Sequence, residues 1–567
     1  MSPRSATAAR PTPRACCPTA WTTPRSASRR PPRSSCRRSA RTPRPAWSCS
    51  TRSAVPAPSP SPTGLTGARA RHQRAAGAGD RSGGGVLGDV LRRAVELGPD
   101  DVLLTTPATG ESWSAARLLA DATSLATGLL QLAGPGARVA TCLANGPAPV
   151  LVQLGVALAG QTLVPVNPRS RPAEVEHALT LAGARVAVAD GPGAEFCAAV
   201  PGVQVVADWR SLLAPPGALP EVAPDSLAQV QFTSGTTGRA KGVRITHAGM
   251  VATGAAFADR LGPTAGRVWC NPMPLFHTAG NVLGVVGALW ARADHVVLPF
   301  APGPVLEVLA SSRVTMLSAA PTLLDLLVSE GVPDLPDLAV LFTGGMTVTP
   351  AFVDRVEAAF GARLATTFGM TETCGSALMT GPGDPDEVRR GTVGGPLAGT
   401  EVRICGPDGV PVPVGEPGEL WVRGARLTDG YLADPPVPAL DDEGWLHTGD
   451  LAEMSASGAC RVVGRLKDMI KTGGENVSPV EVEEALAAHP GVALAAVVGA
   501  PDERWGELVV GFVVPAGADV DVAELEAWCR DRLSPFKVPR RWHLVDELPM
   551  TASAKVQRAE LRRRAAT

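Results

Sequence analysis

From about Val86 to about residue 400, short apolar segments alternate with longer segments of helical periodicity. The segments ARVATCLA, TLVPVNP and RVAVAD have the pattern of strands, and PVLVQLGVALAG and PAEVEHALTLAG between them have the pattern of helices. Apolar strands that alternate with helices of this length are typical of parallel sheets covered on both faces. We therefore predict an α/β fold for this part of the chain.

The pattern changes after residue 400. The segment EVRICGPDGVPVPVGEPGELWVRG has the pattern of strands joined by Gly/Pro turns, which predicts a small antiparallel β unit. After GRLKD (464–468), the chain shows a helix, two strands joined by a turn, a second helix and a final strand. We expect these elements to form a small α+β unit at the end of the chain.

One uncharged stretch, Val139–Pro168, is long enough to span a membrane. Its polar and helix-breaking residues are unsuited to lipid; they are Asn145, Pro147, Pro149, Gln153, Gln161 and Asn167. A strand, a buried helix and a second strand explain the stretch better. We therefore expect no transmembrane segment.

Residues 1–84 are rich in Arg, Pro and Ser and show no apolar periodicity, so this tail is predicted to be disordered. Three interpretations stay open for it. It has the Arg- and Ser-rich, acid-poor composition of an organelle transit peptide, but its prolines oppose the amphipathic helix that such a peptide needs. The second interpretation is a basic tail that contacts membrane or nucleic acid. The third is an unstructured extension or a misassigned start.

The net charge of −1 hides an asymmetry. Residues 1–80 contain 15 Arg, no Lys and one acid (Asp80), so they carry about +14 and the remaining chain about −15. A mildly acidic body argues against nucleic-acid binding. The eleven Cys form no C-x-x-C pair, which fits a reducing cytoplasm and indicates neither a disulfide framework nor a zinc site.

Lysine is scarce in this chain. Of 53 basic residues only five are Lys, namely Lys241, Lys467, Lys471, Lys537 and Lys555. Where Arg serves as the general cation, the remaining lysines mark positions at which a compact ammonium is needed. These positions are therefore the first candidates for a functional site.

The segment TSGTTGRAKG (233–242) has the composition of a phosphate-binding loop. Glycines and small hydroxyl residues allow backbone N–H groups to surround phosphate oxygens, and a lysine adds a mobile cation. The candidate residues are Thr233, Ser234, Gly235, Thr236, Thr237, Gly238 and Lys241. It is not a Walker A loop, because Gly242 instead of Ser or Thr follows the lysine. Taken alone, a polar surface turn explains it equally well.

Further motifs follow along the chain. FGMTET (368–373) offers an aromatic ring for a purine, a hydroxyl for a phosphate or carboxylate, and Glu372 for Mg²⁺. WLHTGD ends in Asp450, an acid suited to two ribose hydroxyls. GRLKDMIKTGGENVSP (464–479) combines clustered charges with a Gly-Gly turn, and TASAKVQR carries Lys555 near the end of the chain.

In this order and spacing, the motifs closely resemble those of the adenylate-forming superfamily, which includes acyl-CoA synthetases, peptide-synthetase adenylation domains and luciferases. The resemblance covers roughly residues 88–563. It implies a large N-terminal domain of stacked α/β subdomains, here residues 85–465. It also implies a small mobile α+β C-terminal domain, here residues 466–567, that rotates between two half-reactions.

The resemblance also implies roles for individual residues. Thr233–Lys241 corresponds to the loop for the β,γ-phosphates, and Thr371 and Glu372 correspond to the phosphate and Mg²⁺ contacts. His277 in PLFHTAG resembles the residue at the mouth of the acyl pocket, although a buried core histidine is the alternative. The other correspondences are Gly344, Gly345, Phe368 and Gly369 for the adenine wall, Asp450 and Arg465 for the ribose, Lys467 for the hinge, Lys471, Gly473 and Gly474 for the loop that follows it, and Lys555 for adenylation.

Three residues depart from the family pattern. Ala240 replaces the usual Pro in the phosphate loop, Phe368 replaces the commoner Tyr, and Ala554 replaces the Gly before the final Lys. None of these departures removes a charged group, so an active enzyme is expected.

The resemblance implies ATP-dependent activation of a carboxylic acid to acyl-AMP, with Mg²⁺, followed by transfer to coenzyme A. Two alternatives remain, a stand-alone acyl-AMP ligase that loads an acyl carrier protein and a non-catalytic nucleotide-binding protein. The segments NVLGVVGALW and TGGMTV are apolar, which favours an uncharged acyl or aryl acid over an amino acid.

Overall fold

The fold is described from a computed structural model. The structure describes residues 85–233, 240–262, 265–346, 348–433, 437–517, 520–551 and 555–566. These residues all fall within one compact unit that spans residues 79–567. The predicted tail, residues 1–84, lies outside the described residues.

Strands run through the described chain from residue 102 onward. In chain order they are β1 (Val102–Thr106), β2 (Glu111–Ser114), β3 (Arg138–Cys142), β4 (Thr162–Pro165), β5 (Val186–Ala189), β6 (Gln204–Val206), β7 (Leu227–Thr233), β8 (Lys241–Thr246), β9 (Val268–Asn271), β10 (Asp294–Val297), β11 (Met316–Ser318), β12 (Val340–Gly344), β13 (Arg363–Phe368), β14 (Leu378–Met379), β15 (Gly395–Pro396), β16 (Glu401–Cys405), β17 (Gly418–Arg423), β18 (Leu446–Met454), β19 (Cys460–Arg465), β20 (Ile470–Thr472), β21 (Glu475–Val477), β22 (Val492–Asp502), β23 (Gly506–Pro515) and β24 (Arg541–Leu544).

Helices connect most of these strands. They are α1 (Leu87–Leu97), α2 (Ala115–Ala133), α3 (Pro147–Leu158), α4 (Pro172–Ala182), α5 (Gly191–Ala198), α6 (His247–Leu261), α7 (Gly287–Ala291), α8 (Pro302–Ser311), α9 (Pro321–Glu330), α10 (Pro350–Phe360), α11 (Asp386–Gly391), α12 (Pro479–Ala487), α13 (Val522–Arg532) and α14 (Arg558–Ala566). A π-helix (Ala279–Val286) precedes α7, and 3₁₀ turns lie at Trp209–Leu212, Thr371–Thr373 and Leu466–Asp468.

The helix ends follow local sequence signals. The hydroxyl of Thr246 accepts the Gly249 N–H at 3.1 Å and begins α6. Thr349 caps α10 in the same way, with Pro350 in its first turn. Such caps satisfy N–H groups that have no partner within the helix. Gly361 ends α10 in the left-handed conformation, which glycine adopts without steric cost.

The first sheet has the strand order β6-β5-β3-β4-β7-β8. Its strands are parallel except for β8, which pairs with β7 in antiparallel orientation. The stretch Val139–Pro168 contributes β3, α3 and β4, as predicted, and α3 is buried on all sides from Pro149 to Leu158. A helix that is apolar on every face belongs in the interior of a large protein.

The second sheet has the order β15-β14-β13-β12-β11-β9-β10-β1-β2. The neighbouring strands β1, β10, β9, β11, β12 and β13 are all parallel. At the two edges, β2 on one side and β14 and β15 on the other pair with their neighbours in antiparallel orientation. The predicted α/β class is therefore confirmed, with mixed rather than purely parallel sheets. The carboxyl ends of β9, β11, β12 and β13 meet at one edge of this sheet.

Two smaller sheets follow. The segment predicted to be antiparallel forms β16 and β17, and β18 and β19 extend it to a four-stranded antiparallel sheet. Strands β20 to β24 form a last sheet of order β21-β20-β23-β22, with β24 beside β23, and α12 and α13 belong to the same small α+β unit. The chain does not end in a strand as predicted, because α14 follows β24.

No helix within the described ranges is both long and apolar enough to cross a membrane.

Candidate functional site

The loops at the carboxyl ends of β9, β11, β12 and β13 surround a cavity of about 240 Å³. Open α/β sheets bind their ligands at this edge, because the loops that follow the strands converge there. Thr233, the last residue of β7, lines the cavity from the first sheet. Thr551 and Lys555, near the end of the chain, line it from the small α+β unit. Residues from the first sheet, the second sheet and the small α+β unit therefore line the same cavity.

Only the two ends of the predicted phosphate loop are described. Thr233 and Lys241 lie opposite each other where β7 pairs with β8. Ser234, Gly235, Thr236, Thr237 and Gly238 lie outside the described residues. The ammonium of Lys241 lies 4.7 Å from the centre of the Tyr431 ring, a cation–π contact.

The predicted adenine wall lies at the ends of β12 and β13. A Cβ atom on Gly344 would lie 2.7 Å from a methyl group of Thr367, so only glycine fits there. Gly345 has φ +84°, a left-handed conformation that also favours glycine. Both glycines and Gly369 line the cavity, whereas the ring of Phe368 packs on the apolar cluster of the antiparallel unit.

The turn Thr371–Thr373 follows β13. Thr371 lines the cavity, and the Glu372 side chain is buried, with 7% of the residue exposed. The Tyr431 hydroxyl donates a hydrogen bond to Glu372 Oε1 at 3.0 Å. Burial raises the pKa of the Tyr431 phenol, and the negative charge of Glu372 raises it further, so the phenol remains a donor.

This carboxylate suits Mg²⁺. No group of three or more His, Cys, Asp or Glu side chains comes together within the described ranges, so an all-protein metal cage is not formed there. Mg²⁺ is usually held by one or two carboxylates together with substrate phosphates and water. Glu372 directly follows the cavity-lining Thr371 and is not itself among the lining residues. It is a single carboxylate, which is the kind of protein ligand that this mode of binding uses.

The predicted ribose ligands form a cross-strand pair. Asp450 on β18 lies opposite Arg465 at the end of β19. Arg465 Nε lies 2.6 Å from Asp450 Oδ1, and Arg465 Nη2 lies 3.3 Å from Oδ2. Asp450 is only 3% exposed, and burial raises the pKa of its carboxyl, while the positive charges of Arg465, Lys467 and Lys555 oppose that shift.

Lys555 and His277 both line the cavity, and their charges influence each other. The Lys555 side chain keeps solvent contact, but the surrounding protein desolvates its ammonium and lowers its pKa. The positive charge of Arg465 lowers the pKa further, and Asp450 partly offsets this. Burial lowers the pKa of His277 to about 4, with a further contribution from Lys555, so His277 is neutral at pH 7.

A tight turn holds His277 in place. The N–H groups of Gly280 and Asn281 donate to the His277 carbonyl, and the His277 N–H donates to the carbonyl of Pro274. A Cβ atom on Gly280 would lie 2.2 Å from that Pro274 oxygen, so the turn requires glycine. Gly280 and Asn281 already belong to the π-helix, which begins at Ala279.

The remaining wall of the cavity is largely apolar. Its apolar residues include Met273, Leu283, Phe300, Pro321, Phe342 and Met346. Among the described lining residues, His277 and Lys555 are the titratable groups.

The predicted hinge and the loop after it lie next to this site. Lys467 is in the turn Leu466–Asp468, where partial desolvation by the surrounding protein and the positive charge of Arg465 lower its pKa. The exposed Lys471 lies on β20. Gly473 (φ +61°) and Gly474 (φ +89°) form the turn between β20 and β21. Lys471 and both glycines are outside the lining of the cavity in this structure.

Comparison with known proteins identifies the family. A family model described as "AMP-binding enzyme" matches residues 91–432, and one described as "AMP-binding enzyme C-terminal domain" matches residues 481–555. The chain belongs to the AMP-binding enzyme family. Its adenylate-forming, acyl-CoA synthetase type, predicted from the motifs, is thereby confirmed.

Members of this family resemble the chain over most of its length. A feruloyl-CoA synthase from Amycolatopsis is 37% identical over 459 residues, which cover 76% of this chain and 89% of that protein. A sulfoacetate–CoA ligase from Cupriavidus necator is 35% identical over 491 residues, covering 82% and 94%. The structure of the o-succinylbenzoate CoA synthetase MenE from Bacillus subtilis with its acyl-adenylate intermediate matches with a TM-score of 0.74 at 28% identity, covering 83% of this chain and 97% of that one.

One residue of this AMP-binding enzyme site was missed in the sequence. Tyr431 contacts both Lys241 and Glu372, yet it lies in a loop remote from either motif. The signal that would have found it is composition, because Tyr431 is the only tyrosine of the chain.

Proposed function

We propose that the cavity at the ends of β9, β11, β12 and β13 is the site where this enzyme joins a carboxylic acid to AMP and then to coenzyme A. The enzyme is an AMP-forming acid–thiol ligase of the acyl-CoA synthetase type. The observation that carries the residue assignment is the position of Lys555, which lines the same cavity as Gly345, Thr371 and His277.

In the first half-reaction, a carboxylate oxygen of the acid attacks the α-phosphorus of ATP. The new O–P bond forms as the bond to the β-phosphate oxygen breaks, so pyrophosphate leaves with its electron pair. Two anions must approach each other, and charge increases on the α-phosphate. The Lys555 ammonium stabilises that charge, a contribution worth about 3–4 kcal/mol for a well-placed group.

Other residues orient the nucleotide for this step. The bidentate pair of Asp450 and Arg465 fixes a carboxylate at the place where two ribose hydroxyls bind. Thr233 and Lys241 hold the β,γ-phosphates at the two ends of their loop. Glu372 would hold Mg²⁺, which when bound would neutralise charge on the phosphates. Gly344, Gly345 and Gly369 leave room for the adenine.

In the second half-reaction, the thiolate of coenzyme A attacks the acyl carbon. The new C–S bond forms as the bond from the acyl carbon to the AMP oxygen breaks, so AMP leaves and the acyl group remains as a thioester. We assign residues 85–465 and 466–567 to two domains, with Lys467 at the hinge between them. Lys471, Gly473 and Gly474 lie outside the cavity here, and rotation about the hinge would bring their loop to it while Lys555 leaves.

The wall of the cavity supports an uncharged acyl or aryl acid as substrate. Its described side chains are mainly apolar, and they include no carboxylate that would pair with the ammonium of an amino acid. His277 is neutral, so it offers no second positive charge for a substrate with two anionic groups. The similarity to feruloyl-CoA synthase supports an aryl acid.

The substrate class is tested with matched acids and pyrophosphate release as the readout. 3-Phenylpropanoate and phenylalanine share a carbon skeleton and differ by one ammonium, and sulfoacetate adds a second anion to a small acid. We expect the highest kcat/KM with the uncharged aryl acids, ferulate and 3-phenylpropanoate. A higher kcat/KM with phenylalanine or sulfoacetate would overturn the proposed class.

A further inference from the structure

A short segment, residues 428–432, lies between the strand that begins with Lys241 and the turn that carries Glu372. Its backbone is bonded to both. The bonds run from Arg244 N–H to the Gly430 carbonyl at 3.1 Å, from Leu432 N–H to the Gly242 carbonyl at 2.7 Å, and from Thr428 N–H to the Glu372 carbonyl at 2.9 Å. The segment therefore fixes the distance between the two motifs.

Tyr431 lies in this segment and contacts the functional group of each motif. Its hydroxyl donates to Glu372 Oε1 at 3.0 Å. Its ring carries the Lys241 ammonium at 4.7 Å from the ring centre. Glu372 is almost fully buried and Tyr431 is half-buried, so the hydrogen bond is shielded from bulk water.

We propose that Tyr431 is a positioning residue that orients Glu372 and Lys241 together for the Mg²⁺ complex of ATP. The inference rests on the proposed function, in which Glu372 meets Mg²⁺ and Lys241 meets the β,γ-phosphates. Tyr431 acts through these two side chains.

The chemistry of the two contacts explains why a tyrosine suits this position. A carboxylate has two oxygens, and the hydroxyl occupies Oε1, which fixes the rotation of the group and leaves Oε2 to the metal. The ring face attracts the ammonium without neutralising it, because the attraction is to a quadrupole and not to an opposite charge. The full charge of Lys241 therefore remains available to phosphate.

Two substitutions separate the contacts. Tyr431→Phe keeps the ring and the Lys241 contact and removes only the hydroxyl. We expect about a tenfold rise in the Mg²⁺ concentration at half-maximal rate, because a hydrogen bond to a charged group is lost. Tyr431→Leu removes both the hydroxyl and the ring. In addition to the effect on Mg²⁺, we expect the KM for ATP to rise by about threefold, because the cation–π contact is lost.

A matched control loosens the same segment without touching either contact. Arg244 pairs with the exposed Asp429 next to Tyr431, with Nε–Oδ1 at 2.8 Å. Arg244→Gln breaks this pair on the outer side of the segment. We expect it to leave the Mg²⁺ dependence and the KM for ATP at the wild-type values, with saturating rates unchanged.

A second measurement does not depend on turnover. Because the chain contains a single tyrosine, full-length protein labelled with [¹³Cζ]tyrosine gives one NMR resonance from that carbon. We expect this resonance to shift when Glu372→Gln changes its hydrogen-bond acceptor. We also expect it to shift when Mg²⁺ and a non-hydrolysable ATP analogue are added together to the wild type.

The outcomes separate this inference from the proposed function. If wild-type enzyme catalyses acid-dependent pyrophosphate exchange and Tyr431→Phe has the same Mg²⁺ dependence, the positioning role is overturned. An unmoved resonance in Glu372→Gln overturns the contact itself. If wild-type enzyme shows no exchange with any acid, the proposed function fails, and the resonance still tests whether Tyr431 responds to Mg²⁺ and the nucleotide analogue.

Discussion

The Cε atom of Lys555 lies 3.7 Å from the position that a Cβ atom on Gly345 would occupy. Gly345 directly follows β12, and Lys555 belongs to the segment before α14, so two distant parts of the chain meet at this point. The Lys555 side chain therefore passes close to a glycine, which has no side chain of its own. A Cβ atom at residue 345 would be in van der Waals contact with the lysine side chain, and the left-handed φ of +84° favours glycine at this position.

Gly345→Ala tests this relationship. Alanine adds a methyl group beside Lys555 and is strained at φ +84°, so we expect adenylation to fall by about tenfold through misplacement of reacting groups. Gly361→Ala is the control, because Gly361 has φ +65° and open space around its Cβ position. It carries similar backbone strain away from the cavity. Equal losses of pyrophosphate release in the two variants would contradict the contact.

Lys555→Ala should separate the two half-reactions. Loss of the ammonium removes stabilisation of charge at the α-phosphate, and we expect acyl-AMP formation to fall by about 10²–10³-fold. Conversion of supplied acyl-AMP and coenzyme A to thioester should persist. Lys537→Ala is the matched control, because Lys537 pairs with Glu481 at 2.6 Å and is outside the cavity lining. Equal loss of both half-reactions in Lys555→Ala would contradict the assignment.

The pH dependence of adenylation should report Lys555. Desolvation of the ammonium by the surrounding protein and the positive charge of Arg465 lower its pKa. The ammonium is the active form, so kcat/KM should fall as the pH rises through a value below that of a free lysine. In Lys555→Arg the side chain stays charged to higher pH. The alkaline fall in kcat/KM should therefore move to higher pH, and the maximal rate of adenylation should be lower than in the wild type. An alkaline limb unchanged between wild type and Lys555→Arg would assign the titration to another group.

Lys467→Pro should have the opposite effect to Lys555→Ala. Proline fixes φ near −65° and prevents the backbone rotation that the proposed hinge requires. We expect acyl-AMP to form and remain bound, with thioester formation reduced by about 10²-fold or more. Lys467→Ala removes the side chain and leaves the backbone free, so both half-reactions should continue. Rapid thioester formation by Lys467→Pro would show that no rotation at this residue is needed.

Much of the fold could be predicted because local patterns decide it. The strands and helix of Val139–Pro168 follow from apolar runs bounded by Pro, Gly and Asn, and α3 is buried on every side as that run implies. The antiparallel unit followed from alternating residues and Gly/Pro turns. These signals lie within single segments, so no knowledge of distant contacts was required.

The helix α14 was missed because it lacks an apolar stripe. Only Leu561 and Ala565 are buried among its described residues. Ion pairs attach it to the small α+β unit, with Arg558 bound to Glu483 and Arg562 bound to Asp468 at 2.7 Å. Such partners lie far away in sequence, and a pattern of periodicity does not contain them.

The same reason explains the missed part of the site. The motifs assign Asp450 and Arg465 to the same ligand, and the pairing of adjacent strands brings them into contact. Tyr431 meets Glu372 across 59 positions of sequence, and it lies outside the motifs described above. Its role follows from tertiary contacts that no local pattern specifies.

The two-step reaction is tested most directly by following all products in one mixture. Purified enzyme with Mg²⁺, ATP and 3-phenylpropanoate should catalyse acid-dependent exchange of labelled pyrophosphate into ATP. Addition of coenzyme A should then yield one acyl-CoA and one AMP for each ATP consumed, measured by mass spectrometry. Formation of ADP and phosphate, or release of AMP with no thioester, would contradict adenylation followed by transfer to coenzyme A.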